Sequence, residues 1–306
     1  MMNNFDACNQ SYLFPGQSAQ STEMLDEFQS SNTYRSCLDI ITNLLGENPE
    51  KYLEVEGYIH KNEIASLLTV MSSVCSLNTL DKNNKPYAYA GYSVGQYTAM
   101  YAAGLLNLEN LFELVFKRAN FMNTCAQKTK SLMFAVIGLT DEKINEVCES
   151  INSSKVKIYI SNFNCLGQVT LAANQLGYEK ACAAFKKCSA RKVVLLPSEG
   201  GWHSPFMEDA EHLFHTEISH RDYFQNTNNR VICNRHGDIL PTADKETMQQ
   251  CLSEHISKPV LWESGIKTLI LNGVTEFIEV GYGNTLTKFG FFIDRKLKHL
   301  HYKKIQ

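Results

Sequence analysis

Five residues, Gly91-Tyr92-Ser93-Val94-Gly95, constrain the fold of this 306-residue chain more than any other segment. They follow a short β-prone run that begins at Pro86, and they precede a stretch of helical periodicity that reaches about Gly104. A strand, a sharp turn and a helix in this order are typical of an α/β fold with a serine nucleophile at the turn. The segment therefore predicts a nucleophile elbow with Ser93 at its tip. The alternative is a glycine-rich turn whose serine only caps the helix.

Segments with strand-like and helix-like spacing of apolar residues alternate along the middle of the chain, and they predict a second, smaller unit within the α/β fold. The order of elements from about Leu132 to Leu196 is β-α-β-β-α-β, which is the split-βαβ or ferredoxin-like arrangement. The predicted elements are strands at Met133–Ile137, Val156–Ser161, Gln168–Ala172 and Lys192–Leu196, and helices at Asp141–Ile151 and Leu176–Cys188. After Pro197 the α/β pattern resumes, with strands at Arg230–Cys233 and Glu276–Val280. We expect a discontinuous large α/β domain, 1–130 and 198–306, with a parallel sheet, and a small ferredoxin-like subdomain, 131–197.

Composition excludes several classes of function. The formal net charge of −3 offers no basic field for nucleic acid, and no stretch approaches the roughly 20 apolar residues of a membrane span. The N-terminal run MMNNFDACNQSYLF has neither a basic nor an apolar leader region. Ten cysteines are scattered without C-x-x-C spacing, which favours reduced thiols over disulfides or a metal site. We expect a soluble cytoplasmic protein without a metal.

A serine nucleophile needs a base, and His203 is the best candidate among nine histidines. It lies in the segment Gly200-Gly201-Trp202-His203-Ser204-Pro205, a loop between the small subdomain and a new helix, where a side chain can project into a cleft. His212 and His215 lie on the following amphipathic helix and are typical of surface or packing positions. By itself, His203 would be a loop histidine bonded to backbone.

Several motifs of this chain resemble those of the malonyl-CoA:acyl carrier protein transacylase family, and they occur in the same order as in that family. The matching segments are Leu13-Phe14-Pro15-Gly16-Gln17-Ser18-Ala19-Gln20, Gly91-Tyr92-Ser93-Val94-Gly95-Gln96-Tyr97-Thr98-Ala99, Asn162-Phe163-Asn164 with Gly167-Gln168-Val169, His203-Ser204-Pro205-Phe206-Met207, and Pro259-Val260-Leu261-Trp262 with Glu279-Val280-Gly281. The match covers nearly the whole chain. Five ordered motifs are far more specific than any one of them.

The resemblance implies a role for each site residue. Ser93 would attack a thioester carbonyl, and His203 would take its proton and later activate the incoming thiol. Backbone N–H groups of Gln17 and Val94 would form the oxyanion hole. Arg118, which is aligned without a gap from the elbow, would bind the free carboxylate of a malonyl group. Asn162 and His255 would orient the histidine or line the pocket.

The sequence departs from the family pattern around the same site. Tyr92 replaces the usual histidine before the nucleophile, Gln96 replaces the usual glutamate, and His255 stands where many relatives have a glutamine. The change at His255 is harmless if that residue contributes mainly a carbonyl, and it alters the pocket if its side chain matters. Glu199 could either repel a malonyl carboxylate or face solvent.

The first prediction is a malonyl transferase that loads an acyl carrier protein from coenzyme A in fatty-acid or polyketide synthesis. The alternative is a hydrolase that removes acyl groups, such as acetyl, from the carrier proteins of a trans-acyltransferase polyketide synthase. The retained Ser93, His203 and Gln17 argue against a non-catalytic carrier-protein binding module. An ordinary α/β-hydrolase needs an acidic triad residue between the serine and the histidine and does not explain the segment from Phe14 to Gln20. Neither reaction needs a tightly bound cofactor, and coenzyme A enters as substrate.

The predicted partner is the phosphopantetheine arm of one acidic acyl carrier protein. The basic run Arg295-Lys296-Leu297-Lys298 is a weak candidate for its docking surface. Neither nucleic acid nor membrane is expected as a partner, and we expect a monomer.

Overall fold

The computed structural model describes residues 9–17, 19–54 and 57–305. Two parts of the sequence discussed above lie outside the described residues. They are residues 1–8, which make up most of the N-terminal run that lacks a leader region, and Ser18 of the first motif. The helices are α1 (Asn32–Leu45), α2 (Asn62–Leu77), α3 (Gly95–Ala102), α4 (Leu108–Thr129), α5 (Asp141–Ile151), α6 (Gln175–Lys187), α7 (Glu208–His220), α8 (Lys245–Ser257), α9 (Trp262–Leu271) and α10 (Thr285–Ile293). Short 3₁₀ turns occur at Asp26–Phe28, Pro49–Tyr52, Tyr58–His60, Pro205–Met207 and Tyr302–Lys304.

The strands form two sheets. They are β1 (Gln10–Phe14), β2 (Ala88–Gly91), β3 (Ser131–Ile137), β4 (Ile158–Cys165), β5 (Gln168–Asn174), β6 (Lys192–Leu195), β7 (Arg230–Cys233), β8 (Asp238–Ile239), β9 (Val260–Leu261), β10 (Glu276–Glu279) and β11 (Lys298–His301). The larger sheet has the order β11-β10-β1-β2-β7-β8 and is parallel except at β8. The smaller sheet has the order β6-β3-β5-β4-β9.

The larger sheet is covered on both sides, as parallel sheets require. Its central strand β1 is buried from Ser11 onward, because α2 and α3 pack near it and β2 and β10 flank it. Helix α2 is buried along nearly its whole length and forms the centre of the main core with α4. The carboxyl ends of the parallel strands meet at one edge of the sheet, and the elbow lies there.

The smaller sheet is mostly antiparallel, and helices α5 and α6 pack on one face of it. Thr140 and Asn174 begin these helices, since each side chain accepts a backbone N–H of the first turn. Strand β9 lies outside 131–197 and pairs in parallel with β4. The mixed α/β fold with a ferredoxin-like unit is as predicted from the sequence, while the domain boundaries stay a prediction.

Candidate active site

The nucleophile elbow lies where β2 ends and α3 begins. Ser93 has a φ of 54°, in the left-handed region that non-glycine residues rarely adopt. The two glycines permit this turn: a Cβ at Gly91 would lie 1.9 Å from the Gly95 carbonyl oxygen, and a Cβ at Gly95 would lie 2.2 Å from the Phe14 oxygen. Contact this close is possible only for glycine. The glycines are therefore required by packing, and Ser93 is raised above the sheet.

The side chain of Asn234 braces the elbow. Its Oδ1 accepts the Ser93 N–H at 2.8 Å, and its Nδ2 donates to the Gly91 carbonyl at 2.6 Å. The Asn234 N–H in turn donates to Oε1 of Gln96 at 2.7 Å. Sequence reasoning missed Asn234. The available signal was its position directly after β7, which pairs in parallel with β2, so that both strands end at the same edge.

The structure brings His203 to Ser93. Nε2 of His203 lies 2.7 Å from Ser93 Oγ, and Nδ1 lies 2.7 Å from the carbonyl oxygen of His255. A carbonyl can only accept, so Nδ1 carries the proton and Nε2 is left to accept the serine hydroxyl. His203 is only 2% exposed and has a φ of 56°. This arrangement suits a general base.

Burial keeps His203 neutral. Desolvation and, after it, the positive charge of Arg118 lower the pKa of His203 to about 3, while the hydrogen bond to the His255 carbonyl opposes the shift. Burial also lowers the pKa of His255 well below its usual value, with smaller contributions from His203 and Arg118. Both rings are therefore neutral near pH 7, so that Nε2 of His203 carries an unprotonated lone pair.

Arg118, from α4, is a buried cation beside the nucleophile. It is 1% exposed, and its Nη2 donates to Ser93 Oγ at 3.4 Å. Its Nε has no hydrogen-bond partner, and its Cζ lies 5.8 Å from the centre of the Tyr97 ring. Burial lowers the pKa of Arg118, although guanidinium groups stay protonated in proteins. Within the described chain no carboxylate forms a salt bridge with it.

The two predicted oxyanion-hole residues lie on either side of Ser93. Val94 follows it, and a Cβ added at Gly16 would lie 3.5 Å from the Ser93 Cβ, so the loop carrying Gln17 runs past the nucleophile. No hydrogen bond among the described residues uses the N–H of Val94 or Gln17. Two free N–H donors next to a nucleophile are what an oxyanion hole requires.

Asn62, at the first turn of α2, connects the surrounding loops and was missed by sequence reasoning. The Gln17 side chain donates to its Oδ1 at 2.9 Å, and Asn62 Nδ2 donates to the Ala119 carbonyl at 3.2 Å, next to Arg118. The Asn62 N–H donates to the carboxylate of Glu199 at 2.7 Å. Glu199 therefore places its charge at a helix N-terminus, where negative charge is stabilising.

A cavity of about 520 Å³ lies between the two sheets and contains the serine and the histidine. Asn162 lines it, is buried, and accepts the Ser161 hydroxyl at 2.7 Å. In the described part of the chain it makes no hydrogen bond with His203. The phenol of Tyr92 donates to Asn164 Oδ1 of β4 at 2.6 Å and so joins the elbow to the smaller sheet. Further lining residues are Gln17, Asn62, Met133, Leu196, Trp202, Lys288, Phe289 and Phe292.

The described residues contain neither a metal-binding cluster nor a disulfide. No group of His, Cys, Asp or Glu within 9–17, 19–54 and 57–305 is arranged to hold a metal ion. Nine cysteines are free, seven of them buried. The helices in these ranges include none that is long and apolar enough to cross a membrane.

Comparisons with known proteins agree with the motifs. The chain is 29% identical over 294 residues to a malonyl CoA-acyl carrier protein transacylase of Bacillus subtilis, a match covering 94% of this chain and 91% of that protein. An acyl-carrier-protein S-malonyltransferase of Burkholderia pseudomallei superposes with a TM-score of 0.89 at 26% identity, covering 96% of this chain and 95% of that one. No family model matches the chain.

A third comparison concerns fold alone. A malonyl-transacylase, solved in complex with its type II PKS acyl-carrier protein, superposes with a TM-score of 0.87 at 22% identity and covers 95% of this chain and 94% of that one. The resemblance to the malonyl-CoA:acyl carrier protein transacylase family is confirmed, and the relatives are transferases. They do not favour the hydrolase alternative.

Proposed function

We propose that this chain transfers a malonyl group from coenzyme A to an acyl carrier protein through an ester on Ser93. The observation that carries the proposal is the buried guanidinium of Arg118, whose Nη2 lies 3.4 Å from the nucleophile oxygen and whose charge no carboxylate of the described residues neutralises. A buried charge without a partner is costly. A ligand carboxylate would satisfy it, and malonyl thioesters carry a free carboxylate that acetyl thioesters lack.

The first half of the reaction forms the acyl-enzyme. Ser93 Oγ attacks the thioester carbonyl as its proton passes to Nε2 of His203, and the carbonyl oxygen becomes an oxyanion. The N–H groups of Val94 and Gln17 stabilise that oxyanion, a contribution of about 2.7–4 kcal/mol for one such donor. The C–S bond then breaks, and coenzyme A leaves as a thiol with the proton from His203.

The second half reverses these steps with another thiol. The thiol of the carrier protein's phosphopantetheine arm gives its proton to Nε2 of His203 and attacks the Ser93 ester. The ester C–O bond breaks, Ser93 Oγ recovers the proton, and the malonyl group leaves as a new thioester. The reaction needs no tightly bound cofactor because the thioester is already activated.

The enzyme would bind the malonyl group at its two ends, the free carboxylate and the thioester carbonyl. Arg118 would hold the carboxylate by charge-assisted hydrogen bonds, which places the thioester carbonyl between Ser93 and the two N–H donors. Polar side chains of the smaller sheet, among them Asn162, would form the opposite wall. We propose a monomer in a reducing compartment, the cytoplasm, in keeping with the nine free thiols.

Intact-protein mass spectrometry tests the proposal directly. The protein is mixed with malonyl-CoA or acetyl-CoA and a phosphopantetheinylated carrier protein, and both proteins are followed over time. We expect a malonyl adduct on the enzyme, then on the carrier, and none on the Ser93→Ala variant. Loss of acetyl from an acetylated carrier with little loading from coenzyme A would instead identify a hydrolase.

A further inference from the structure

The ring of His255 is buried against His203 without a polar partner of its own. His255 belongs to α8 and is 0% exposed. The two imidazoles stack with their centres 4.9 Å apart and their planes at 25°. Neither ring nitrogen of His255 has a hydrogen-bond partner in the part of the chain that is described. Its carbonyl, by contrast, accepts the Nδ1–H of His203.

An imidazole in this position is costly compared with an apolar side chain of the same size. Burying a polar group without a hydrogen bond is unfavourable. The backbone carbonyl alone would orient His203 with any residue at position 255. The reason for an imidazole at position 255 must therefore lie in the contacts of the ring itself. The face of this ring contacts His203, the general base.

The surroundings of the pair keep His255 neutral. Arg118, from α4, is the charged group that acts on both rings, and it lowers the pKa of each. The hydroxyl of Ser93 is hydrogen-bonded to the His203 ring of the pair. When Ser93 is acylated, His203 becomes an imidazolium in a site that already holds the Arg118 charge. A neutral aromatic face against a cation is attractive, especially where water is excluded.

We propose that His255 is a positioning residue whose neutral ring, stacked on His203, stabilises the imidazolium that forms during acylation of Ser93. The carbonyl of the same residue fixes the Nδ1–H tautomer, and the ring face fixes the plane of the imidazole. Together they present Nε2 to the serine hydroxyl. The proposal rests on the Ser93–His203 chemistry of the proposed function, and it does not depend on which acyl group is transferred.

Three substitutions at position 255 separate the ring from the carbonyl. His255→Phe keeps an aromatic face and removes the nitrogens, His255→Leu keeps an apolar filling without a face, and His255→Gln has neither the ring nor the apolar filling. All three keep the backbone carbonyl. His215→Leu is the matched control, because His215 lies on the neighbouring helix α7 and bonds to Ser253 of α8 without touching His203.

The readout is the rate at which phenylmethylsulfonyl fluoride inactivates the enzyme by sulfonylating Ser93, measured from pH 4 to 9. We expect His255→Phe and His215→Leu to react within about threefold of the unsubstituted protein. His255→Leu and His255→Gln should be slower by about threefold to thirtyfold on the plateau of the rate, where His203 is neutral in every variant. Equal plateau rates for His255→Leu and His255→Phe would overturn the proposal.

Nitrogen-15 NMR of the histidine-labelled, unsubstituted protein provides a test that needs no variant to fold. At pH 6 we expect both His203 and His255 to be neutral, with the proton of His203 on Nδ1. A protonated His255 would repel an imidazolium rather than stabilise it, and would overturn the proposal. Neither measurement uses malonyl-CoA. A failure of malonyl transfer would therefore leave these results unchanged, and a failure of the stacking role would leave transfer to the carrier intact.

Discussion

Replacing Arg118 with methionine should separate substrate binding from stability. In the free enzyme the guanidinium is 1% exposed, its Nε is unpaired, and none of the described carboxylates neutralises it. Truncating one member of a buried, hydrogen-bonded charge pair costs about 2–5 kcal/mol. If the substrate carboxylate is the other member, kcat/KM for malonyl-CoA should fall by about 30- to 5000-fold. Turnover of acetyl-CoA, which has no such carboxylate, should change by less than about tenfold.

The same substitution should leave the protein as stable as before, or more stable. Removing a buried charge that has no partner also removes its desolvation cost, and an apolar side chain of similar length fills the space. Arg118 also lowers the pKa of His203, so that the acid limb of the rate should move to higher pH in Arg118→Met.

The assay combines steady-state acyl transfer to a carrier protein with urea unfolding. Lys117→Gln is the matched control, since Lys117 is the preceding residue of α4 and its ammonium bonds to Glu217 instead of the active site. It should keep its preference for malonyl. The reasoning would be refuted if Arg118→Met retained the preference for malonyl. It would also be refuted if the variant lost several kcal/mol of stability while the preference fell.

Three further predictions concern the elbow, its base and its contact with the smaller sheet. Asn234→Ala leaves the buried Ser93 N–H and Gly91 carbonyl unpaired, and we expect a loss of about 2 to 4 kcal/mol in urea unfolding, with Asn234→Asp intermediate. His203 has a folded pKa near 3 against about 6.5 unfolded, so below pH 6.5 the unfolded chain binds a proton that the folded chain does not. As the pH is lowered from 6.5 to 3, this group should therefore reduce the free energy of unfolding by up to about 1.4 kcal/mol per pH unit. The decrease should be less steep in His203→Gln, and equal slopes for the variant and the unsubstituted protein would contradict this. Tyr92→Phe removes one hydrogen bond to β4 and should cost about 1 kcal/mol without abolishing acylation.

Strands and helices with strong periodicity were predictable from the sequence. Helix Asp141–Ile151 and strand Arg230–Cys233 coincide with the predicted bounds, because each is a short amphipathic or buried run between turn residues. Strand β4 begins at Ile158 and reaches Cys165, where the prediction ended at Ser161. Its register shifts twice against β5, and such bulges break the alternation on which the prediction depends.

The two-residue strands β8 and β9 were missed because two residues are too few to show the apolar and polar alternation that predicts a strand. Strand β11 was also missed. It begins at Lys298, the last residue of the basic run that was a weak candidate for the docking surface. The Lys298 ammonium lies 3.1 Å from Glu276 Oε2 of β10, so part of that charge is paired within the protein. Charge in a sequence does not show which partner neutralises it.

At the site, the sequence identified the residues whose side chains would act chemically and missed those that brace them. The order of strand, turn and helix indicated Ser93, whereas His203 and Arg118 were preferred over a loop histidine and a solvated arginine because of the family resemblance. Asn234 and Asn62 each satisfy several backbone groups from separate parts of the chain. The position of Asn234 directly after the predicted strand Arg230–Cys233 was a signal, but a sequence does not indicate which distant backbone groups an amide side chain will reach. The contacts of these residues therefore follow only from the fold.

Two of the departures from the family pattern, Gln96 and His255, share a physical property: a single side-chain acceptor or a main-chain atom performs the task at those positions. Gln96 offers Oε1 to the Asn234 N–H, and a glutamate oxygen would accept the same bond. His255 holds the Nδ1–H of His203 through its carbonyl, which every residue has. By contrast, the roles that we propose for Ser93 and His203 depend on side-chain atoms that no other residue supplies in the same place. Substitution is therefore tolerated around the elbow where the backbone does the orienting, and the ring at position 255 is free to take on the additional contact with the base.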